Sequence, residues 1–510
     1  MRALDLVVVG GYLVSISVLG ARMGRRQQSR DEYFLAGRQM PWMVVGVSIM
    51  ATMLSTITYL SFPGEIFRFG FGYLATVLAY PLIYPIFAYG VLPHLLRQSA
   101  TSAYEYLEGR YSPSVRTSVA SIFLLTRLTW MAGIVYTACY ALSQMTGSSI
   151  YVFLAVMGLV TTFYTSHGGI RGVIWTDVAQ FALLIGGVLF IPFFVFARTG
   201  SGPSDWWNLF MRTDHPQLEI FSWDPTVRLT IVAAMVQRLF WTICTHSADQ
   251  VIAQRYFATS SVKRARWSFL TYLVTSLAST LLLGACALAL YGYYFHFSAS
   301  EPFPQFQSRM ALHADAMFPR FISTELPAGL SGMLIAAVLA AGMSSLSSGI
   351  NSFSAVILVD FFGRWRKAFT PEWLTTGKSL SVLIGLAVTL AAAGYTTVAQ
   401  SRNWNLLEAN LRLGTVFTGP LAVPFLAGIM SRRPGPQAAL FGLFGSAAIG
   451  GLLVFSKDLP LLEKEVSFIW VIPAATCAGL LLTFLASYLF RFSGPFPHPD
   501  QVSKHRGALK

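Results

Sequence analysis

The chain has 510 residues, of which 54% are hydrophobic and only 11% charged, and its formal net charge is +14. A soluble domain carries about 25% charged residues, whereas here the apolar residues form many separate blocks of about 20, enough to cross roughly 30 Å of hydrocarbon. This composition excludes a soluble enzyme and makes the lipid bilayer the first partner; the basic excess lacks the clustered soluble domain that nucleic-acid binding requires, so no nucleic-acid partner is expected.

The blocks predict about thirteen transmembrane helices, over 4–22, 41–67, 70–96, 116–145, 149–166, 172–198, 227–247, 267–296, 326–362, 377–398, 405–430, 435–455 and 466–490. The first is followed by Arg22, Arg25, Arg26 and Arg30, the order of an uncleaved helix rather than a signal peptide. Alternate loops from 23–40 onward hold about 23 of the basic residues, against about 10 on the other side. The expectation is a multi-pass protein of the plasma (inner) membrane with its N-terminus outside and its C-terminus cytoplasmic. The outside loops 199–226 and 297–325, rich in Trp, Phe and Pro, are predicted to carry short interfacial helices. The tail after Phe492, with Pro495, Pro497 and Pro499, is expected to lack fixed structure. Cys139, Cys244, Cys286 and Cys477 lie scattered in apolar segments, with neither metal nor disulfide spacing, and read as packing residues.

The second span carries Ser48, Thr52, Ser55, Thr56, Thr58 and Ser61 before Pro63-Gly64. A helix that unwinds here would present free carbonyls to an ion; back-bonding of these hydroxyls to their own helix is the competing reading. Asp177 near the start of the sixth span is either an ion ligand or a solvated interfacial acid. Arg127, about ten residues into the fourth span, is either a clamp for an anionic group or one half of a structural pair. Arg238 poses the same problem. His246, Asp249 and Gln254-Arg255 form a polar cluster at the end of the seventh span. In the ninth, Ala341, Ser344, Ser345 and Ser348 share one helix face, with Ser347 at its margin. Lipid offers hydroxyls no partner, so that face turns inward, where its hard oxygens suit a cation such as Na⁺. No Walker A run, nucleophile elbow or Rossmann fingerprint is present, so no enzymatic activity is expected, and the energy is expected from an ion gradient, a partner subunit or the solute's own gradient.

Taken in order, Glu32-Tyr33-Phe34-Leu35-Ala36-Gly37-Arg38, the Ser/Thr-rich stretch to Gly64, Tyr104 to Tyr111, Gly168-Gly169-Ile170 with Trp175-Thr176-Asp177, Asp249-Gln250 with Gln254-Arg255-Tyr256, the serine run to Asn351-Ser352, and Gly419-Pro420 resemble the sodium:solute symporter family. The resemblance covers about residues 30–430. It implies an all-α polytopic protein with a five-plus-five inverted-repeat core of broken helices. The leading helix and loop would occupy 1–40, the repeats 41–198 and 199–430, two trailing helices 431–492 and the tail 493–510. It implies a sodium site formed by the carbonyls of Ala51, Leu54 and Ala341 and the hydroxyls of Ser344 and Ser345. A second sodium would use Asp177 with Ser344, Ser347 and Ser348. Ser55, Thr58, Arg127 and Asp249 are the candidate solute contacts. The third span, Ala75 to Tyr84, lacks the acid or amide of sugar-transporting members, while Ala51 to Arg68 looks more like the monocarboxylate, multivitamin and iodide branch. The expected function is sodium-coupled import of a small organic anion by alternating access, with the protomer functional as a monomer. Sugar or amino-acid symport is the alternative, and a non-transporting sensor or a channel the more remote one.

Overall fold

The computed structural model describes residues 2–24, 27, 29–96, 100–215, 218–298, 301–362, 372–402, 406–456 and 466–490, so the predicted tail lies outside the described residues. The regular elements among the described residues are helical, and nine helical stretches are long and apolar enough to cross a membrane.

Helix α1 (Ala3–Met23) packs against a later helix through glycine: a Cβ at Gly168 would sit 2.9 Å from the Gly20 carbonyl oxygen. Small residues let helix backbones approach where lipid supplies no hydrophobic drive. The predicted span 41–67 forms two helices, α2 (Trp42–Met53) and α3 (Thr56–Phe69), and α3 continues through Pro63. Residues 70–96 wind through 3₁₀, α and π turns, as expected where Pro81, Pro85 and Pro93 each remove a backbone donor.

Helix α4 (Pro113–Thr146) begins at a Ser112 cap and ends at Gly147, whose φ is +70°. Helix α5 (Ile150–Thr199) joins the predicted spans 149–166 and 172–198 without a loop, kinked at Gly169. There φ is 52° and ψ −162°, a region open to glycine alone. The predicted span 227–247 is likewise corrected. Helix α6 (Ile231–Ala248) breaks at Asp249 and continues as α7 (Gln250–Phe257), all of it buried, before α8 (Val262–His296). The long loops carry the expected short helices, Pro203–Phe210, Phe303–Leu312 and Ala314–Arg320.

Helix α9 (Leu330–Val356), with a π turn Ile357–Phe362, runs through the centre of the bundle and is almost wholly buried. Its glycines admit neighbours: a Cβ at Gly342 would meet Met157, and one at Gly349 would meet Met131. Helices α10 (Glu372–Arg402), α11 (Leu406–Met430), α12 (Pro436–Val454) and α13 (Val471–Leu489) complete the chain. The α12–α13 seam is close because Gly442 faces Thr483 and Gly479 faces Ser446.

Candidate functional site

The break between α2 and α3 follows from its residues. Ser55 is extended (φ −75°, ψ 162°), and its Oγ accepts the Thr58 amide at 3.3 Å, so it caps a new helix. The Ser55 amide turns to the Met53 carbonyl at 3.1 Å rather than back to Ala51. The carbonyls of Ala51 and Thr52 are taken instead by α9: Ser344 Oγ donates to Ala51 O at 3.1 Å and Ser345 Oγ to Thr52 O at 3.4 Å. Ser344 Oγ also lies 3.0 Å from Ala341 O. Of the residues singled out, Ser344 Oγ thus meets the Ala51 and Ala341 carbonyls, Ser345 turns to Thr52 instead, and Leu54 is buried at the same break. The oxygens are hard and uncharged, which suits a dehydrated alkali cation. Among the described residues no cluster of three or more His, Cys, Asp or Glu offers a transition-metal site.

Asp177 lies on α5 in the wall of this break. Its Oδ2 accepts from Ser48 Oγ at 2.6 Å, from Thr52 Oγ1 at 3.4 Å and from Arg255 Nη2 at 2.8 Å, while Oδ1 is buried without a hydrogen-bond partner. Asp177 and Arg255 are both fully buried. Ser348 bonds to Thr52 and Arg255, whereas Ser347 Oγ turns to the Ser344 carbonyl at 3.1 Å. The Arg255 pairing is the contact that reading the sequence missed. An acid in the sixth span and an arginine in the polar cluster at the end of the seventh were the available signal, since intramembrane charges seek each other.

Arg255 belongs to a wider lock made by α7. Gln254 Nε2 donates to Phe34 O at 2.7 Å and Asn351 Oδ1 at 2.9 Å, and its Oε1 accepts from Ser352 Oγ at 2.9 Å. Gln250 Oε1 accepts from the Ala103 amide at 2.8 Å and its Nε2 donates to Thr101 O at 2.9 Å. His246 is structural: Nδ1 lies 2.6 Å from Tyr256 Oη, across the α6–α7 break, and the ring packs on Phe87, Phe269 and Tyr272.

The second break brings Arg127 and Asp249 together. Asp249 caps α7, its Oδ1 accepting the Val251 amide at 2.9 Å, and its Oδ2 lies 3.5 Å from Arg127 Nη1. That long contact leaves Arg127 Nε and Nη2 buried without partners, while the guanidinium sits 4.4 Å from the centre of the Trp130 ring. Both residues line a cavity of about 270 Å³ with Phe123, Gln237, Trp241 and Phe417. Met53, beside the first break, also lines it. Ser55 and Thr58 bond to each other at 3.3 Å and are outside its lining.

Two interrupted helices beside a buried cluster of carbonyl and hydroxyl oxygens and an arginine-lined cavity are the parts from which an ion-coupled carrier is built. A profile of the sodium:solute symporter family matches residues 33–445. The chain belongs to the sodium:solute symporter family. The symporter is thus a sodium-coupled solute carrier and not an enzyme. It is 30% identical to the sodium/sialic acid symporter SiaT of Proteus mirabilis (strain HI4320), over 87% of this chain and 88% of that protein. It is 28% identical to the sodium-coupled monocarboxylate transporter 2 of Danio rerio, over 89% and 70%. A sodium-coupled sialic acid symporter solved in a substrate-bound, outward-open state superposes with a TM-score of 0.82 at 27% identity, covering 96% of this chain and 98% of that one. The nucleobase-cation-symport-1 transporter Mhp1 in a closed conformation shares the fold, with a TM-score of 0.55 at 14% identity over 92% and 96%.

Proposed function

We propose that the symporter imports a small organic anion with sodium by alternating access. The observation that carries this reading is Arg127: a buried guanidinium with Nε and Nη2 unpartnered, one ion pair at 3.5 Å, and a 270 Å³ cavity beside it. A carboxylate supplies the paired acceptors that such a fork lacks. The aromatic lining provides apolar contact for the rest of the solute. The names of the sialic acid and monocarboxylate relatives, whose cargoes carry carboxylates, agree with it.

In this reading Na⁺ is cargo, held by the carbonyls of Ala51, Leu54 and Ala341 and the hydroxyls of Ser344 and Ser345. Binding it replaces the α9-to-α2 hydrogen bonds and fixes the break, which lowers the ordering cost of solute binding; the coupling is reciprocal. A second Na⁺ at Asp177, Ser344, Ser347 and Ser348 is supported by the unpartnered Asp177 Oδ1. Counting α2 with α3, residues 70–96 as one, α6 with α7, and α5 as two gives thirteen spans. The repeats are 41–198 and 199–430, each opening on a broken helix, flanked by 1–40 and 431–492. The N-terminus lies outside and the C-terminus in the cytoplasm, and one protomer completes the pathway. Solute moves inward, driven by the sodium gradient, and Ser55 and Thr58, which lie outside the cavity lining, meet it on its path past the α2–α3 break.

A second reading is favoured by the Arg127–Asp249 pair itself, which could receive the carboxylate and ammonium of an amino acid. Proteoliposome uptake with and without a sodium gradient separates the two, using labelled monocarboxylates, sugar acids, amino acids, neutral sugars and the primary amides of the acids. The expected result is saturable, sodium-dependent uptake of a carboxylate with its amide competing at least about tenfold more weakly, and loss of that preference in Arg127→Gln. Equal affinity for acid and amide, or preference for a neutral sugar, refutes the anion reading.

A further inference from the structure

Arg238, on α6, is a second guanidinium that the site described above does not use. Its Nη2 donates to Tyr80 Oη at 2.9 Å, Tyr272 Oη at 3.3 Å and Ser276 Oγ at 3.1 Å, and Tyr80 Oη and Ser276 Oγ lie 2.7 Å apart. Every one of these partners is a neutral hydroxyl. Among the described residues no carboxylate lies within salt-bridge distance of it, and its Nε is buried without a partner. The guanidinium also packs on Trp241, 4.9 Å from the ring centre. Trp241 and Gln237, the residue before Arg238, both line the cavity beside Arg127.

The arginines near the cavity are not matched alike. Arg127 is paired with Asp249 and Arg255 with Asp177, whereas Arg238 has hydroxyl partners and no acid paired to it among the described residues. A permanent charge within a span is costly and persists where something compensates it. Three hydroxyls orient a guanidinium without neutralising it. We propose that Arg238 is a specificity-determining residue whose unbalanced charge selects a monoanionic solute over a zwitterionic or neutral one, with the solute's carboxylate as the missing counter-charge. This rests on the anion reading of the Arg127 cavity and narrows it: the Arg127–Asp249 pair alone would accept an amino acid, and the added charge of Arg238 turns the balance against one. Arg238 acts through the field at the cavity and through Trp241 rather than by replacing Arg127 as the contact.

The test compares two routes to neutralisation. Arg238→Gln removes the charge. Ser276→Asp leaves the arginine in place and puts a carboxylate where the hydroxyl now stands 3.1 Å away, a change that retains a bonded partner if Arg238→Gln fails to fold. In proteoliposomes, inhibition constants are measured for a transported monocarboxylate, its primary amide and its α-amino derivative. Both variants should lose about tenfold or more of the preference for the monocarboxylate over the other two, while Arg238→Lys keeps it within about threefold. Unchanged discrimination in Ser276→Asp, with preference still lost in Arg127→Gln, overturns this proposal and leaves the anion reading intact. A wild-type protein that does not favour the monocarboxylate over its amide overturns both.

Discussion

Deleting one hydroxyl should separate the sodium site from mere helix packing. Ser344 Oγ lies 3.1 Å from Ala51 O and 3.0 Å from Ala341 O, whereas Ser345 reaches Thr52 O only at 3.4 Å. On the proposed assignment, Ser344→Ala removes one ligand oxygen from the ion. An interaction of this kind with a charged partner is worth about 1.5–3 kcal/mol, and each 1.4 kcal/mol is about tenfold in affinity. The half-saturating sodium concentration should therefore rise about tenfold to hundredfold, and less in Ser345→Ala. Sodium-free stability should fall separately, because the Ala51 carbonyl then lacks its partner at a cost of about 1–3 kcal/mol. Sodium titration of solute uptake reads the first effect. Melting in choline chloride against sodium chloride reads both, since bound ion stabilises in proportion to the logarithm of its concentration over its dissociation constant. Unchanged sodium dependence in both variants, with intact protein, would refute the assignment of the ion to this pair of helices.

Other changes reach other parts of the molecule. Asp177→Asn should destabilise by about 3–5 kcal/mol, because it leaves Arg255 buried without its acid; melting of that variant, of Arg255→Gln and of the double variant should show the double recovering part of the loss. If Asp177 also holds a second sodium, flux ratios in that variant should drop from two sodium ions per solute to one. Gly169→Ala should lower the melting temperature or block expression, since the residue has φ 52° and a Cβ would lie 2.7 Å from Tyr33 O. His215, in the segment between α5 and α6, is pushed below its ordinary value by burial, and its Nε2 has no partner. The unfolded chain then takes up its proton more readily than the fold does, so stability should decline as pH falls below about 6.5, and His215→Gln should lose that part of the slope.

Reading the residues in order exposed the parts whose chemistry conflicts with lipid. The serine face of α9 and the hydroxyls around Ala51 declared themselves because nothing in hydrocarbon can bond them, and they do meet. Arg127 and Asp249 each stand out as charges near apolar spans, and they form a pair. What stayed hidden depended on geometry across the bundle. Gly168-Gly169 reads as a loop between spans, but a single glycine-only conformation turns it into a kink within α5. Asp249 reads as the polar end of a span because the sequence cannot say whether the chain leaves the membrane or restarts a helix; the cap from Asp249 to Val251 decides it. The Arg255–Asp177 contact joins residues 78 positions apart, and periodicity along one helix carries no information about which other helix it faces.

Helix α7 holds its neighbours with Gln250, Gln254 and Arg255 at once, in surroundings without exposed surface. To swing aside, it must surrender all three grips together, because releasing them singly would strand a guanidinium or an amide in a dry interior. Half-open arrangements are thus the expensive ones. Any displacement of α7 should therefore be cooperative, with the three grips lost in one step.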